Sequence, residues 1–426
     1  MRAISRISLT ALSETVGVTL GAVSGFLIVH QLPKDTYARY SFIVVCITFL
    51  VGLSDIGLSH CYLPLVGDRT GEEAWVLGVC QRLYRLRWRF FMPAMVVVLV
   101  YWGFASLEHG WTDGQFLIAS ILAAASVLLA IREQSLRSLL IVLRQVTRLN
   151  RMTVVASIGR LLFVTTVLLL VPAQLALAGL LAATALGSIG ALWQLAGMPQ
   201  VSQFNHATLD PSEAVVIDQR ARNILRPLIL PMTFYQVQGL ITVFLVSLFG
   251  LTSSIAEVAA LTRPTLVLAI LDRVLGVLLF PAIASAARGP TLHRLVLRSQ
   301  GAYLAVMLMI LASSFWRPDL WMILIGRQYL PQQGLLWMAF LSAVLMYSAG
   351  FGLSTLTSRG KTSSQVYLIP LVLIVQAVFL ATLGINTTRA ALLFSISTSA
   401  TFFFFQYGLL ATRWLHSQRA ALEESA

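Results

Sequence analysis

The chain is short of charge, of acidic residues and of cysteine, and each shortage removes a class of protein. Only 11% of its 426 residues are charged while 58% are hydrophobic, and the mean hydropathy of +0.82 is too high for the surface of a soluble enzyme of this length. Three cysteines, Cys46, Cys61 and Cys80, offer no even set and no paired metal spacing, so they read as small apolar fillers and not as a disulfide framework. The histidines His30, His60, His109, His206, His293 and His416 are scattered without ligand spacing, which argues against a metal site. No nucleophile sits in an activation motif, so neither an enzyme nor a resident cofactor is expected.

What the chain has instead is long apolar runs. A helix crossing about 30 Å of hydrocarbon needs roughly 20 apolar residues. Runs of that kind occur near 8–30, 38–64, 90–106, 115–131, 153–170, 176–196, 227–247, 255–284, 300–316, 332–356, 364–383 and 390–412. They are continuously apolar and do not alternate with period two, so they predict helices and not a barrel. The expected fold class is an all-α integral membrane protein of about twelve transmembrane helices. The first run follows basic residues without a small-residue cleavage site, which predicts an anchored helix and not a removed leader.

A net charge of +13 raises the question of nucleic acid, and the positions of the 30 Lys and Arg residues answer it. With both termini in the cytoplasm, 22 of them fall in inside segments, among them Arg69, Arg82, Arg85, Arg87, Arg89, Arg132, Arg137, Arg220 and Arg222. Only Lys34, Arg39, Arg317, Arg327 and Arg389 fall outside. The skew obeys the positive-inside rule, so the basic charge reports topology and no nucleic-acid partner is expected.

The longest polar interruption, 197–226, divides the spans six and six, giving an N-terminal lobe of residues 1–212 and a C-terminal lobe of 213–426. Asp55 precedes Pro64 by nine residues in the second run, and Asp272 precedes Pro281 by nine in the eighth, an offset of 217 in both cases. That recurrence predicts two related halves with function on the faces between them. Gly17, Gly21 and Gly25 repeat every four residues in the first run and predict close helix approach.

An ionised side chain at membrane depth costs at least about 2.5 to 3.5 kcal/mol, so it is paired or faces a wet cavity. Six qualify: Glu14, Asp55, Arg160, Arg263, Asp272 and Arg273. Arg263 and Arg273 lie ten positions apart, about 80° around a straight helix, close enough to serve one cavity, although Pro264 invites a kink. Guanidinium forks suit phosphate and carboxylate, so Arg263, Arg273 and Arg160 are the candidates for an anionic substrate. Arg160 stands near the cytoplasmic edge, where snorkelling is an equal reading. Glu14, Asp55 and Asp272 are the ionisable candidates for coupling or for structural pairing. The loop Gly67-Asp68-Arg69-Thr70-Gly71 partly resembles a loop motif of major facilitator transporters, but Glu72 and Glu73 stand where that motif continues with basic residues.

Several segments together resemble the polysaccharide repeat-unit flippases, within the superfamily that also holds multidrug and toxin extruders. They are Leu32-Pro33-Lys34-Asp35-Thr36-Tyr37-Ala38-Arg39-Tyr40, Leu53-Ser54-Asp55-Ile56-Gly57-Leu58, Ala259-Ala260-Leu261-Thr262-Arg263, Leu279-Phe280-Pro281-Ala282-Ile283-Ala284 and Ile325-Gly326-Arg327-Gln328-Tyr329. The resemblance implies two six-helix lobes around a central cavity in a bacterial inner membrane. It implies a lipid-linked oligosaccharide on undecaprenyl pyrophosphate as substrate, moved between leaflets by alternating access. Arg263 and Arg273 would meet the pyrophosphate or acidic sugars, and Glu14 would respond to a coupling ion, H+ or Na+. Membrane lipids, and a polysaccharide polymerase with its chain-length machinery, would be the partners. The chain has no room for two further helices after the twelfth run, which departs from peptidoglycan precursor flippases. The alternatives are a multidrug cation antiporter of the same superfamily and, behind it, a membrane polymerase or ligase.

Overall fold

The computed structural model describes residues 2–66, 69–108, 111–143, 145–249, 252–272, 290–357 and 363–423, with Leu279 and Ile283. All regular structure among them is helical. Nine described helices are long and apolar enough to cross a membrane, or eleven if two bent pairs each count as one span. By contacts the chain divides into two compact units, Met1–Leu248 and Phe249–Ala426.

The first unit opens with α1 (Arg2–Gln31) and α2 (Lys34–Asp55), joined at Pro33, which begins α2 as a residue without an N–H can. A short helix α3 (Tyr62–Val66) leads to α4 (Glu73–Glu108), α5 (Asp113–Val142), α6 (Val146–Leu170) and α7 (Ala173–Ala196). Then come α8 (Pro199–His206), the connector helix α9 (Pro211–Gln238) and α10 (Ile241–Phe249). α1 packs on α6, α6 and α5 on α7, and α2 between α4 and α5. Gly17 makes one such approach possible: a methyl there would sit 3.0 Å from Thr153 of α6. Gly21, expected to do the same, has open space in front of it.

α9 and α10 form one of the bent pairs, turning by 55° near Gly239. Upstream of the bend, α9 lays Ile217, Ala221 and Leu225 into the unit's core at successive i, i+4 positions. Arg82 clamps it in place, donating from Nε and Nη2 to the two carboxylate oxygens of Asp218 at 2.8 and 2.5 Å. Arg69 adds a second tie, reaching Glu213 at 3.2 Å and Glu72 at 2.6 Å. Its guanidinium holds the Glu72 carboxyl below the usual carboxylate range.

The second unit contains α11 (Thr252–Thr262) and α12 (Leu266–Asp272), a second bent pair turning by 40°. It continues with α13 (Pro290–Trp316), α14 (Pro318–Ile325), α15 (Leu336–Thr357), α16 (Leu368–Leu383) and α17 (Thr388–Glu423). α17 packs along α15 and α16, and α11 rests on both α15 and α17. Polar pairs join these helices where the core is otherwise apolar. Gln365 and Gln406 exchange two amide hydrogen bonds of 3.0 and 2.7 Å, and Gln376 donates to Thr398 at 3.1 Å.

The outer faces suit lipid as the surrounding medium. Val100, Leu107, Leu169 and Leu170 are between 71% and 82% exposed, a display that water would not tolerate in bulk. All three cysteines are buried and free.

Two sequence expectations are corrected. The third helix does not begin near residue 90: α4 starts at Glu73, so Arg82, Arg85, Arg87 and Arg89 are helical and not loop residues. The second helix does not run to residue 64. It stops at Asp55, because Ile56 (φ 36°) and Gly57 (φ 85°) both turn left-handed and break the hydrogen-bond ladder.

Candidate functional site

In the first unit a cleft of ≈ 400 Å³ opens where α2 ends. Its walls come from α2 (Gly52, Asp55), α4 (Arg87), α5 (Gln134, Arg137, Ser138) and α9 (Met232, Thr233, Gln236).

The floor of the cleft is set by Arg87. Its side chain is 3% exposed, and each guanidinium nitrogen has an oxygen to donate to. Nε reaches the Ser54 hydroxyl at 3.0 Å and Nη1 that of Ser135 at 3.3 Å. Nη2 donates to the Gln134 side-chain carbonyl and lies 3.4 Å from Asp55 Oδ1. One planar group therefore fastens α2, α4 and α5 together, and its charge is satisfied without water. Asp55 is the other half of the pair but keeps 24% of its side chain exposed, and its second oxygen accepts from Ser59 at 2.7 Å. The carboxylate thus faces the cleft while the arginine lies behind it.

The backbone that presents Asp55 is strained. Ile56 is β-branched, and a left-handed conformation at such a residue costs on the order of 1–3 kcal/mol. Burial of Leu58 and Cys61 just beyond, at 1% and 0% exposure, holds the turn against that strain.

Arg137 makes the second anchor. Its Nε donates to Glu133 at 3.2 Å and its Nη1 to Thr153 of α6 at 3.0 Å, while Ser188 of α7 donates to the other oxygen of Glu133 at 2.8 Å. Of the charged residues that line the cleft itself, two are arginines and one is a carboxylate. Each arginine is matched by a carboxylate, Arg87 by Asp55 and Arg137 by Glu133, so the charges around the cleft balance.

α4 sets the height of the cleft. From Arg87 to Leu107 the helix rises about 30 Å, the thickness of the hydrocarbon layer, and the apolar exposed residues lie between them. On the orientation dictated by the basic residues, Arg87 stands at the cytoplasmic edge of that layer.

Gly52 fits the cleft wall closely. A methyl at this position would meet the Gln236 amide carbon at 2.1 Å, so Gln236 occupies the space that a side chain would take. The amide also donates to the Thr48 carbonyl at 3.3 Å, which seats α9 against α2. Gly52→Val is expected to displace Gln236, break that bond and destabilise the unit by about 1–3 kcal/mol as overpacking does. Thermal unfolding checks this, and Gln236→Ala in the same chain should recover most of the loss.

The residues singled out from the sequence fare differently. Asp55 is in the cleft. Arg160 lies on α6, half-buried beside Gly187 of α7, with a buried Nε that lacks a hydrogen-bond partner, and it does not line the cleft. Arg263 sits at the break between α11 and α12, and Asp272 closes α12 within electrostatic range of Tyr303. Glu14 belongs to α1, but its side chain lies outside the described part of the structure, as does all of Arg273. Sequence reasoning passed over Arg87, Arg137 and Glu257. Glu257 is 8% exposed on α11 and accepts a 2.6 Å hydrogen bond from Thr388 of α17.

No protein-family model and no curated protein matches this chain. Solved structures do. An inward-facing multidrug-resistance MATE family transporter of the MOP superfamily aligns with a TM-score of 0.70 at 14% identity, over 96% of this chain and 98% of its own. A lipid II flippase, MurJ, in an inward closed conformation aligns with a TM-score of 0.63 at 12% identity, over 94% and 87%. A MATE transporter of Vibrio cholerae aligns at 0.56 and 14%, over 96% and 97%. The fold is that of the MOP superfamily. Identities this low establish the fold alone, and the expectation of a twelve-helix membrane protein agrees with it. The solved structures it matches here are transporters, not enzymes.

Proposed function

We propose that the chain is a flippase that moves undecaprenyl-pyrophosphate-linked oligosaccharide units from the cytoplasmic to the periplasmic leaflet of a bacterial inner membrane. In this reading it works by alternating access and serves surface polysaccharide synthesis. The observation that carries the reading is the cleft: two guanidinium groups, Arg87 and Arg137, stand in its lining, each paired with a carboxylate, Asp55 and Glu133. A pyrophosphate head at the cytoplasmic edge would compete with those carboxylates for the guanidinium donors while its polyprenyl tail stays in hydrocarbon. The MOP fold supports it, because a lipid II flippase shares that fold. Arg263 and Arg273 supply cationic groups for the same anion elsewhere on its route, Arg160 a further one, and Glu14, Asp55 and Asp272 are the candidates for responding to H+ or Na+. A polymerase and its chain-length machinery would receive the product.

The second reading, a multidrug cation antiporter, draws on the Asp55 carboxylate that faces the cleft and on the likeness to MATE transporters. Deleting the gene and probing intact cells and everted vesicles with a membrane-impermeant glycan probe separates the two. Lipid-linked units trapped on the cytoplasmic side are the expected result. Single units accumulating outside would point to a polymerase or ligase, and no accumulation with heightened drug sensitivity would favour the antiporter.

A further inference from the structure

The outward face of α4 carries a continuous stripe. Residues 85, 89, 92, 96, 100 and 107 fall within about 80° of one another around the helix. From Met92 onward the stripe is apolar and strongly exposed: Met92 52%, Val96 59%, Val100 71% and Leu107 82%. Those side chains face lipid tails. Arg85 and Arg89 are exposed on the same stripe, one to two turns nearer the cytoplasm, which puts them at the height of the lipid phosphates. Trp88 stands beside them, edge-on to Tyr84 at 6.2 Å and to Phe91 at 5.3 Å, as an aromatic ring of the interfacial belt does.

A third cation joins from α9. Arg222 is exposed, and it acts electrostatically on Asp218 together with Arg89, so the two helices bring these arginines around one carboxylate. That carboxylate is already taken: Arg82 holds both of its oxygens. Among the described residues, Arg85, Arg89 and Arg222 have no carboxylate within ion-pair distance, so the junction of α4 and α9 carries positive charge that the protein does not neutralise.

We propose that Arg85, Arg89 and Arg222 form a site for the phosphate of an anionic phospholipid of the cytoplasmic leaflet, with its acyl chains laid along the Met92–Leu107 stripe of α4. Unneutralised positive charge and the depth of the lipid phosphates coincide there. A lipid held there would contact both α4 and the connector helix α9, and would reinforce the clamp that Arg82 makes. The site is separate from the cleft, and its lipid is the same whichever substrate the cleft accepts.

The test uses the full chain reconstituted in bilayers that mix phosphatidylglycerol with phosphatidylcholine, followed by native mass spectrometry of the lipids it retains. Each basic residue near an anionic surface strengthens binding about fivefold, so a chain carrying Arg85→Gln, Arg89→Gln and Arg222→Gln should retain phosphatidylglycerol on the order of a hundredfold less well. The triple lysine variant should keep most of the retention, unchanged phosphatidylcholine retention by the triple glutamine chain excludes misfolding as the cause of its loss, and Arg389→Gln should change nothing. Equal retention of phosphatidylglycerol by the parent and triple glutamine chains would overturn the proposal. So would an equal loss of phosphatidylcholine, or a loss confined to added polyprenyl pyrophosphate, since the last would assign the arginines to the transported head and not to a resident lipid.

Discussion

Arg87→Ala is expected to destabilise the first unit by about 3 kcal/mol, near the low end of what removing one partner from a buried ion pair costs. The low end applies because Asp55 is 24% exposed and regains some water when its partner leaves. Ser54, Ser135 and Gln134 lose a donor at the same time, and α2, α4 and α5 lose the group that they share. Arg87→Lys should recover only part of the loss, because an ammonium cannot present donors in the three directions that these oxygens require. Removing both charges as Arg87→Met with Asp55→Asn should be milder than Arg87→Ala alone, since no buried charge is then left without a partner. Thermal unfolding of the four chains in one detergent measures the order. If Arg87→Ala unfolds with the parent chain, the arginine does not fasten the three helices.

The second large effect concerns transport. Arg263→Ala combined with Arg273→Ala is expected to abolish translocation while leaving membrane insertion intact. Arg263 lies where α11 gives way to α12 across a 40° bend, and Pro264 follows it, so the chain keeps a fixed charge at a point where helical hydrogen bonding is interrupted. Such a break within a span is tolerated where it is buried in protein or lines a water-filled cavity. Arg273 falls outside the described residues, and its part in the prediction rests on the spacing of the two arginines. The leaflet assay reads translocation, and protease mapping of the loops reads insertion. Full activity in the double variant would remove both residues from the substrate's path.

The helices and their order were legible because lipid leaves little freedom: every apolar run of sufficient length must be a helix, and the arginines orient it. The cleft was less legible, and α4 shows why. Hydropathy marks only the stretch that lies in hydrocarbon, so Arg82, Arg85, Arg87 and Arg89 read as part of an inside segment and of no helix. Yet a 36-residue helix continues beyond the apolar layer, and its flank is covered by protein and not by lipid. Burial of Arg87 depends on α2 and α5 closing around it, which no local pattern records. Asp55 was visible as an acid in an apolar run, but the end of the helix at that residue was not, since Ile56 is a residue that ordinarily avoids a left-handed turn. The order Asp55, Ile56, Gly57 contains a usable hint in the glycine. Glu257 escaped notice for a similar reason: an acid near the edge of a span resembles a solvated end until its partner, Thr388, arrives from 131 residues away.

The broken helix near Gly239 has a mechanical consequence. α10 has nine residues and is about 13 Å long, so changing the 55° bend by about 10° would swing its far end by roughly 2 Å. Gln236, in the cleft wall, lies on one side of that pivot, and Ser247, which meets the Tyr101 hydroxyl on α4, lies on the other. The bend is therefore tied on both sides, by Gln236 to the Thr48 carbonyl and by Ser247 to Tyr101, so a change in its angle must strain or break one of the two contacts.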